Sequence, residues 1–267
     1  MKPIRTAAIV FLAAVALAAI TPQFWAPARY DAQFRETPDA SPSNRFPLGT
    51  DALGRDRLSR LIYGTRVSLL LAPAAATLSC LAAAALGGIA GLAGGWIDRA
   101  IVSAADLFLS LPWLFLLLMV RAGLPLNVSP AASVTITFLL LGALGWAAPA
   151  RVIRAAVREL KDSDFVLQAR ASGCRQSRLL WRHLMPNVAP ILWAQFWVAV
   201  PVYILAETTL GMLGLGVAEP LPSWGGLLRE LEEGAALSHL WLLAPVLLLA
   251  AVVGSFQLIL PREDYSL

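Results

Sequence analysis

Long stretches without a charged side chain dominate the sequence. Five of them lie between Arg5 and Arg29, Arg66 and Asp98, Arg121 and Arg151, Arg182 and Glu207, and Glu233 and Arg262. A sixth, between Arg99 and Arg121, contains only Asp106. Because about 20 apolar residues in a helix cross about 30 Å of hydrocarbon, each stretch can hold one span. The sequence therefore predicts an all-α membrane protein with six transmembrane helices, near residues 5–24, 68–90, 101–121, 131–149, 188–210 and 239–260.

The first 28 residues fit two interpretations. A basic start, an apolar run to Ile20 and the Ala-Pro-Ala sequence at 26–28 are typical of a cleaved secretory signal. Phe24 and Trp25 instead fit an interfacial anchor at the end of a retained span, and we favour retention. The predicted organisation is a first span at 1–24, a periplasmic segment with an interfacial helix at 25–66, a transmembrane domain at 67–260 and a cytoplasmic tail at 261–267.

Charge in the loops predicts which face of the membrane each loop occupies. Loop 150–187 carries eight basic and three acidic residues, whereas 214–238 carries Arg229 against four glutamates. The positive-inside bias therefore makes 150–187 cytoplasmic, and six crossings then place both termini inside. Segment 25–65 has six arginines and five acids and falls outside, where the bias is weak for so long a segment. Its residues 58–66 have the spacing of an interfacial helix or of a solvated loop helix.

A short helix is predicted inside the cytoplasmic loop. Asp164 is a candidate N-cap, residues 165–172 are compatible with a helix, and Gly173 suits the left-handed position that ends one. Eight residues are too few to form a helix alone in water, so this helix must pack on its own bundle or in the groove of a second protein. Met185-Pro186 marks the return to the membrane.

Small residues and prolines predict how the spans pack and bend. Gly87, Gly91 and Gly95 recur every four residues, which predicts a helix face that another backbone approaches closely. Prolines inside four spans predict bends, because each removes a backbone donor that neighbours in a bundle can replace. These prolines are Pro73, Pro112, Pro201 and Pro245.

Two acids lie closest to hydrocarbon, Asp106 and Glu207. Ionisable groups at such positions are costly and generally face protein or water. One interpretation is that both line a substrate path or gate. The other is that they are helix-end carboxylates, with Asp106 paired to Arg99 and Glu207 reaching the membrane interface.

The sequence lacks the motifs of several enzyme classes. It contains no GxxxxGK[ST], so it cannot hold ATP through a Walker A lysine, and it has no HExxH or GxSxG. His183 and His239 lie in different loops, and Cys80 and Cys174 form no CxxC, so neither a metal site nor a disulfide framework is indicated. Dispersed basic residues argue against a nucleic-acid surface. Two rival classes stay open: an intramembrane enzyme built on the two membrane acids or the histidines, and a membrane scaffold or sensor.

The tripeptide Leu167-Gln168-Ala169 is followed by Gly173 and later by Met185-Pro186. This spacing resembles the EAA loop of inner-membrane permease subunits in binding-protein-dependent ABC importers, which has Glu-Ala-Ala, a glycine four residues on, and Leu-Pro. The glutamate is absent here, because Leu167 takes its place. Three further segments resemble the dipeptide, oligopeptide and nickel branch: PLGTDALGRDRLSRLIYGTRVSLLL at 47–71, DRAIVSAADLFLSLPWLF at 98–115 and LGMLGLGVAEPLPSWGGLLRE at 210–230.

The resemblance implies a type I ABC importer permease fold with a cytoplasmic coupling helix, in the bacterial inner membrane and in contact with lipid. It implies a second permease subunit, two ATP-binding subunits and an extracytoplasmic solute-binding protein as partners. ATP and Mg would be held by the ATP-binding subunits, and this chain would hold no cofactor or metal. Di- or oligopeptides are the expected cargo, with nickel or a metal chelate as the alternative. The residues expected to couple to the ATPase are Phe165, Leu167, Gln168, Ala169, Arg170, Gly173 and Pro186.

Overall fold

The computed structural model describes residues 2–125, 128–232 and 240–259. Over these residues the structure is helical, and strand pairing is limited to isolated bridges between Gln33 and Arg55 and between Thr50 and Asp56. The α-helices are α1 (Lys2–Ile20), α2 (Pro22–Trp25), α3 (Arg57–Ala93), α4 (Gly95–Ser110), α5 (Trp113–Ala122), α6 (Pro130–Leu144), α7 (Ala147–Leu160), α8 (Asp164–Ala171), α9 (Gln176–Arg178), α10 (Met185–Met212), α11 (Trp224–Glu232) and α12 (Ala244–Ile259). A π-helix at Leu179–Leu184 follows α9, and a 3₁₀-helix at Leu240–Leu243 precedes α12. The predicted all-α class is confirmed.

Five helical stretches of the described chain are long and apolar enough to cross a membrane. They are Pro3–Ile20, Arg57–Ala93, Pro130–Leu160, Gln176–Met212 and Leu240–Ile259, and each overlaps a predicted span. The sixth predicted span, at 101–121, corresponds to the pair α4 and α5, which meet at 87° at the bend predicted for Pro112. Leu111 is extended, with φ −92° and ψ 141°, as the residue before a proline prefers, and Pro112 offers no amide hydrogen to continue the ladder.

Helix α3 begins well before the apolar part of its span. Asp56 caps it, since its carboxylate accepts hydrogen bonds from the Ser59 backbone N–H at 2.8 Å and the Ser59 hydroxyl at 2.5 Å. From Arg57 the helix continues for 37 residues, a length of about 55 Å. The interfacial helix predicted within 58–66 is therefore not a separate element, because those residues form the first turns of this span.

The chain divides into two compact units, a division by packing that does not test the predicted membrane boundaries at 24, 66 and 260. Unit 1 comprises Met1–Ala72, Arg121–Phe138 and Pro201–Leu267. Unit 2 comprises Pro73–Val120 and Leu139–Val200. The predicted tail at 261–267 lies outside the described residues.

Unit 1 combines the first and last spans with the segment that precedes α3. Helix α1 packs on α12, and the Arg5 guanidinium donates a hydrogen bond to the Ile259 carbonyl at 2.6 Å. The segment that precedes α3 folds back onto the start of that helix. There the Ala28 N–H donates to the Ser59 hydroxyl at 2.9 Å, and the rings of Tyr30 and Tyr63 lie 5.1 Å apart.

Unit 2 contains a close approach of α3 and α7 at two of the predicted glycines. A Cβ at Gly87 would lie 2.3 Å from the Ala150 carbonyl oxygen, and one at Gly91 would lie 2.8 Å from the Arg154 carbonyl oxygen. Only residues without a side chain allow this spacing. Gly95 does not belong to this face, contrary to the prediction: its φ is +60°, it begins α4, and the space beside it is open.

Candidate functional site

The helix predicted in the cytoplasmic loop is present as α8, with an N-terminus one residue earlier than expected. Ser163, at φ −71° and ψ 153°, occupies the N-cap position that the sequence assigned to Asp164. The Ser163 carbonyl accepts hydrogen bonds from the N–H groups of Val166 and Leu167, both at 3.0 Å. Asp164 becomes the first helical residue, where its carboxylate complements the positive end of the helix dipole.

Gly173 ends α8 in the left-handed conformation, with φ +76°. Its N–H donates to the Arg170 carbonyl at 2.9 Å, and the Cys174 N–H donates to the Ala169 carbonyl at 3.1 Å. This pair of bonds is the Schellman motif, which satisfies the last carbonyls of a helix and favours glycine because a Cβ is strained there. The chain therefore leaves the helix in a fixed direction.

Two side chains anchor α8 to its own bundle: Val166, and the half-buried Ala169, which packs against the same cluster. Val166 is fully buried, and burial of an aliphatic side chain of this size stabilises a fold by about 1.5–3 kcal/mol. The other buried members of its cluster come from α3, α7, the π-helix and α10: Ala84, Ile153, Val157, Leu179, Leu180, Leu184, Met185 and Val188. Movement of α8 must therefore displace side chains that belong to the spans.

The exposed side of α8 is available to a partner. Phe165 and Leu167 are apolar yet 39% and 48% exposed, and Gln168 is also exposed. A groove of about 630 Å³ runs beside this helix. Its walls are formed by Phe165, Gln168, Ala169, Ser172, Gly173, Cys174, Arg178, Arg182 and His183. The groove thus combines an apolar and amide wall with a basic wall.

The polypeptide returns to α10 through a π-helix, Leu179–Leu184. Pro186 follows directly, at the second position of α10, and its side chain is exposed. Proline donates no backbone hydrogen bond, and a local change from α to π pairing is one way in which a helix accommodates this loss. This π-helix links the basic wall of the groove to the fifth span.

An ion-pair ladder connects α7 to α4 within unit 2. Asp98 is 7% exposed, and it accepts hydrogen bonds from the Arg154 Nε and, at 2.6 Å, from the Arg154 Nη2. The Arg158 Nη1 lies 3.4 Å from the same carboxylate, and the Arg151 Nη2 lies 2.7 Å from Asp106. The spacing of Arg151, Arg154 and Arg158 places them on one face of a helix, but the sequence does not identify Asp98 as a partner.

The two acids closest to hydrocarbon have different surroundings. Asp106 is paired with Arg151, not with Arg99, and both side chains are 51% exposed. Glu207 is fully buried in unit 1, where it accepts a hydrogen bond from the Ser68 hydroxyl at 2.8 Å. Because no part of Glu207 reaches solvent, it neither extends to the interface nor lines an open path in this conformation. Of the two histidines considered for an enzyme, His183 lines the groove beside α8, and His239 lies outside the described residues.

A second cluster of charges joins the segments at 47–66 and 211–230 within unit 1. Arg55 is 8% exposed and bonds Asp51 at 2.6 Å and Glu219 at 2.7 Å. Arg60 is fully buried and bonds Glu230 at 2.6 Å and Glu219 at 3.0 Å. Both segments stand out in the sequence by their family resemblance, but nothing in the sequence indicates that their charges meet.

The two glutamates of this cluster titrate differently. Burial acts to raise the pKa of the Glu219 carboxyl, but hydrogen bonds and positive charge from Arg60 and Arg55 outweigh burial and hold that pKa below its ordinary value. At Glu230 burial is the larger effect and raises the pKa above its ordinary value, although Arg60 opposes the rise. Glu219 is therefore the more firmly ionised partner of the arginines.

Comparison with known proteins identifies the class of molecule that carries these features. A family model described as the binding-protein-dependent transport system inner membrane component matches residues 83–262. The chain belongs to this family. The matched range includes α8, the groove and the α4–α7 ladder.

Relatives of this permease family extend the similarity along most of the chain. The oligopeptide transport system permease protein OppC of Bacillus subtilis (strain 168) is 34% identical over 225 residues, which are 83% of this chain and 70% of the relative. The dipeptide transport system permease protein DppC of the same strain is 33% identical over 221 residues, or 82% and 67%. The nickel transport system permease protein NikC of Escherichia coli (strain K12) is 33% identical over 254 residues, or 94% and 89%.

Family membership establishes the general role. The chain is a multi-pass inner-membrane permease of an ABC importer and works in a complex with permease, ATPase and binding-protein subunits. As a permease it is a transport subunit without an ATPase site of its own, consistent with the missing Walker A motif. This result removes the intramembrane enzyme and the scaffold as interpretations.

Proposed function

We propose that this permease forms half of the path for di- or oligopeptides in an ATP-driven importer, with a second permease subunit forming the other half. Two ATP-binding subunits hold ATP and Mg, and α8 is the segment on which they act. The observation that carries this proposal is the double character of α8: Val166 fixes one face in the bundle, while Phe165 and Leu167 stay exposed on others. Such a helix can be gripped from outside and still move the spans.

The contacts on each side of α8 support a defined route for force. Phe165, Gln168 and Ala169 border the groove and are proposed to contact the ATPase, together with Leu167 and Arg170. A helix received in a groove is a common recognition mode between proteins. On the other side, Val166 packs against α7, and α7 is tied to α4 through Asp98. Displacement of α8 would therefore move α7 and, through the ion pair with Asp98, also α4.

The sidedness of the chain is part of the proposal. The basic loop 150–187 is placed in the cytoplasm with both termini, because positive charge is retained on that side. The segments 47–66 and 211–230 are then extracytoplasmic, and we propose that they contact the solute-binding protein. Their shared ion cluster supports this assignment, because Arg55 and Glu219 hold the two segments together as one surface.

The cargo is assigned from relatives. The relatives OppC and DppC carry oligopeptide and dipeptide transport in their names, which favours peptides. NikC favours nickel as the second candidate, because its identity is similar and it covers more of the chain. Uptake of a labelled tripeptide and of ⁶³Ni²⁺ in a strain that lacks this permease, with and without the gene restored, decides between them.

Coupling is tested by a pair of substitutions on α8. All subunits are expressed together, and the permease is purified in mild detergent through a tag. Ala169→Glu places a charge in the groove wall, whereas Ala171→Glu places the same residue on the exposed side that does not line the groove. Both exchanges conserve helix propensity to within a few tenths of a kcal/mol.

We expect Ala169→Glu to lose the ATPase subunit and peptide uptake while its membrane level stays normal. Ala171→Glu should retain both. Equal retention of the ATPase by both variants, together with unchanged uptake, would refute the coupling role of α8.

A further inference from the structure

A large cavity opens in unit 1 near the ion cluster. Its volume is about 950 Å³, at the upper end of the range of about 300–1,000 Å³ that is usual for small-ligand sites. The end of α5, the start of α6, the loop after α10 and the segment before α3 all contribute to its wall. Side chains of Asp51, Arg55, Arg121, Ser133 and Arg229 are part of this wall.

Arg121 is the unusual member of this wall. The residue is 1% exposed, yet its Nε has no hydrogen-bond partner. Its two hydrogen bonds are long: Nη1 lies 3.5 Å from the Pro125 carbonyl, and Nη2 lies 3.4 Å from the Ser133 hydroxyl. Within residues 2–125, 128–232 and 240–259, no carboxylate forms an ion pair with Arg121.

The other buried arginines beside the cavity show what Arg121 lacks. Arg55 is paired with Asp51 and Glu219, and Arg60 with Glu219 and Glu230, all at 2.6–3.0 Å. A guanidinium does not lose its proton in a protein, so burial cannot neutralise Arg121. A buried cation without a partner is costly, and a negative group supplied from the cavity would remove this cost.

The acids that line the cavity do not supply that negative charge, because they are paired with arginines other than Arg121: Asp39 with Arg57, Asp51 and Glu219 with Arg55, and Glu230 with Arg60. Arg121 lies in the last turn of α5, where the helix dipole offers only about half an elementary charge, and that effect is weak beside a full carboxylate. The Ser133 hydroxyl is already used, since it donates to the Gly216 carbonyl at 3.0 Å and accepts from the Ala218 N–H at 3.1 Å. These bonds hold the loop at 216–218 in place beside the guanidinium.

We propose that this cavity is a carboxylate-binding site, in which Arg121 receives the C-terminal carboxylate of the transported peptide. The inference rests on the proposed peptide function. Arginine suits this role because its planar donors match the two oxygens of a carboxylate.

The test uses the complete transporter in cells that have no other peptide uptake. Two labelled substrates are compared, a tripeptide with a free C-terminal carboxylate and the same tripeptide as its C-terminal amide. The affinity of the binding protein for each peptide is measured separately, and the ratio of the two uptake rates is corrected for the difference in affinity. Variants are Arg121→Gln, Arg121→Lys and, as a control on an exposed arginine that does not line the cavity, Arg35→Gln.

Wild type should favour the free acid about tenfold or more, as expected for the loss of one charge-assisted hydrogen-bonded pair. Arg121→Gln should bring the ratio close to one, Arg121→Lys should keep part of the preference, and Arg35→Gln should keep all of it. An unchanged ratio in Arg121→Gln, or no preference in wild type that imports both peptides, would overturn the site.

If the variants fail to assemble, a binding measurement on the wild-type complex tests the site. The purified wild-type complex is heated with the free acid or the amide, without binding protein. A higher melting temperature with the acid alone supports the site, and equal shifts overturn it.

If wild type imports neither peptide, the peptide assignment fails. The effect of acetate on the melting temperature then tests whether the cavity binds a carboxylate. Stabilisation of wild type but not of an assembled variant, Arg121→Gln or Arg121→Lys, then supports a carboxylate site. Equal melting curves with and without acetate contradict it.

Discussion

The contact between α3 and α7 gives a prediction that can be worked out from distances. Gly87→Ala would place a Cβ 2.3 Å from the Ala150 carbonyl oxygen, whereas ordinary contacts of a Cβ begin at 3.4 Å. The two helices must therefore separate by about 1.1 Å or the carbonyl must turn away. Gly254→Ala is the matched control, because Gly254 lies in α12, is exposed and has nothing within 4 Å of the new Cβ.

Both variants gain the same helix propensity, so their difference isolates the clash. Overpacking of this kind costs about 1–3 kcal/mol, which corresponds to a melting temperature about 2–12 °C lower for a chain of this size. Thermal unfolding of the purified transporter in detergent measures the difference. A Gly87→Ala complex that melts at or above the temperature of Gly254→Ala would refute the close packing of these helices.

Three further predictions concern charge and backbone conformation. Asp98→Asn should destabilise the permease by up to about 3 kcal/mol, because this buried carboxylate is the shared partner of Arg154 and Arg158, whereas Asp106→Asn should cost about 0–1 kcal/mol, because that pair is half-exposed; melting temperatures compare them, and equal shifts would contradict the ladder. Gly173→Val should reduce ATPase co-purification, whereas Gly173→Asn should retain it, since asparagine tolerates the left-handed region and valine does not. The pKa of the Glu219 carboxyl lies below its ordinary value of about 4.3, so its ion pairs stabilise the fold above that pH, and this stabilisation is lost as the pH falls through the lower pKa of the folded state. The fall in melting temperature between about pH 6 and pH 3 should therefore be smaller in Glu219→Gln than in wild type.

Features set by local rules were predictable from the sequence. Spans follow from stretches without charge, and the end of α8 follows from Gly173, because few residues other than glycine adopt φ +76° without strain. The bend at Pro112 follows from the missing amide hydrogen, although its angle does not. Such features depend on neighbours along the chain.

Features that depend on distant residues were missed. Asp98 and Arg154 are 56 positions apart, and nothing local marks them as a pair. Arg55 and Glu219 are separated by 164 positions. Arg121 appeared in the sequence only as the boundary of an apolar stretch, and its burial without an acid is visible only after the helices are placed. Hydropathy locates spans but does not assign partners among their charges.

We propose that the ATPase acts on this permease through α8. The most direct measurement places a photo-crosslinking amino acid at Gln168, an exposed residue of the groove wall, in cells that express the complete transporter. We predict a crosslink to the ATPase subunit that disappears when this subunit is not expressed. Crosslinks only to lipid or within the permease itself, with the ATPase present in the complex, would contradict the account.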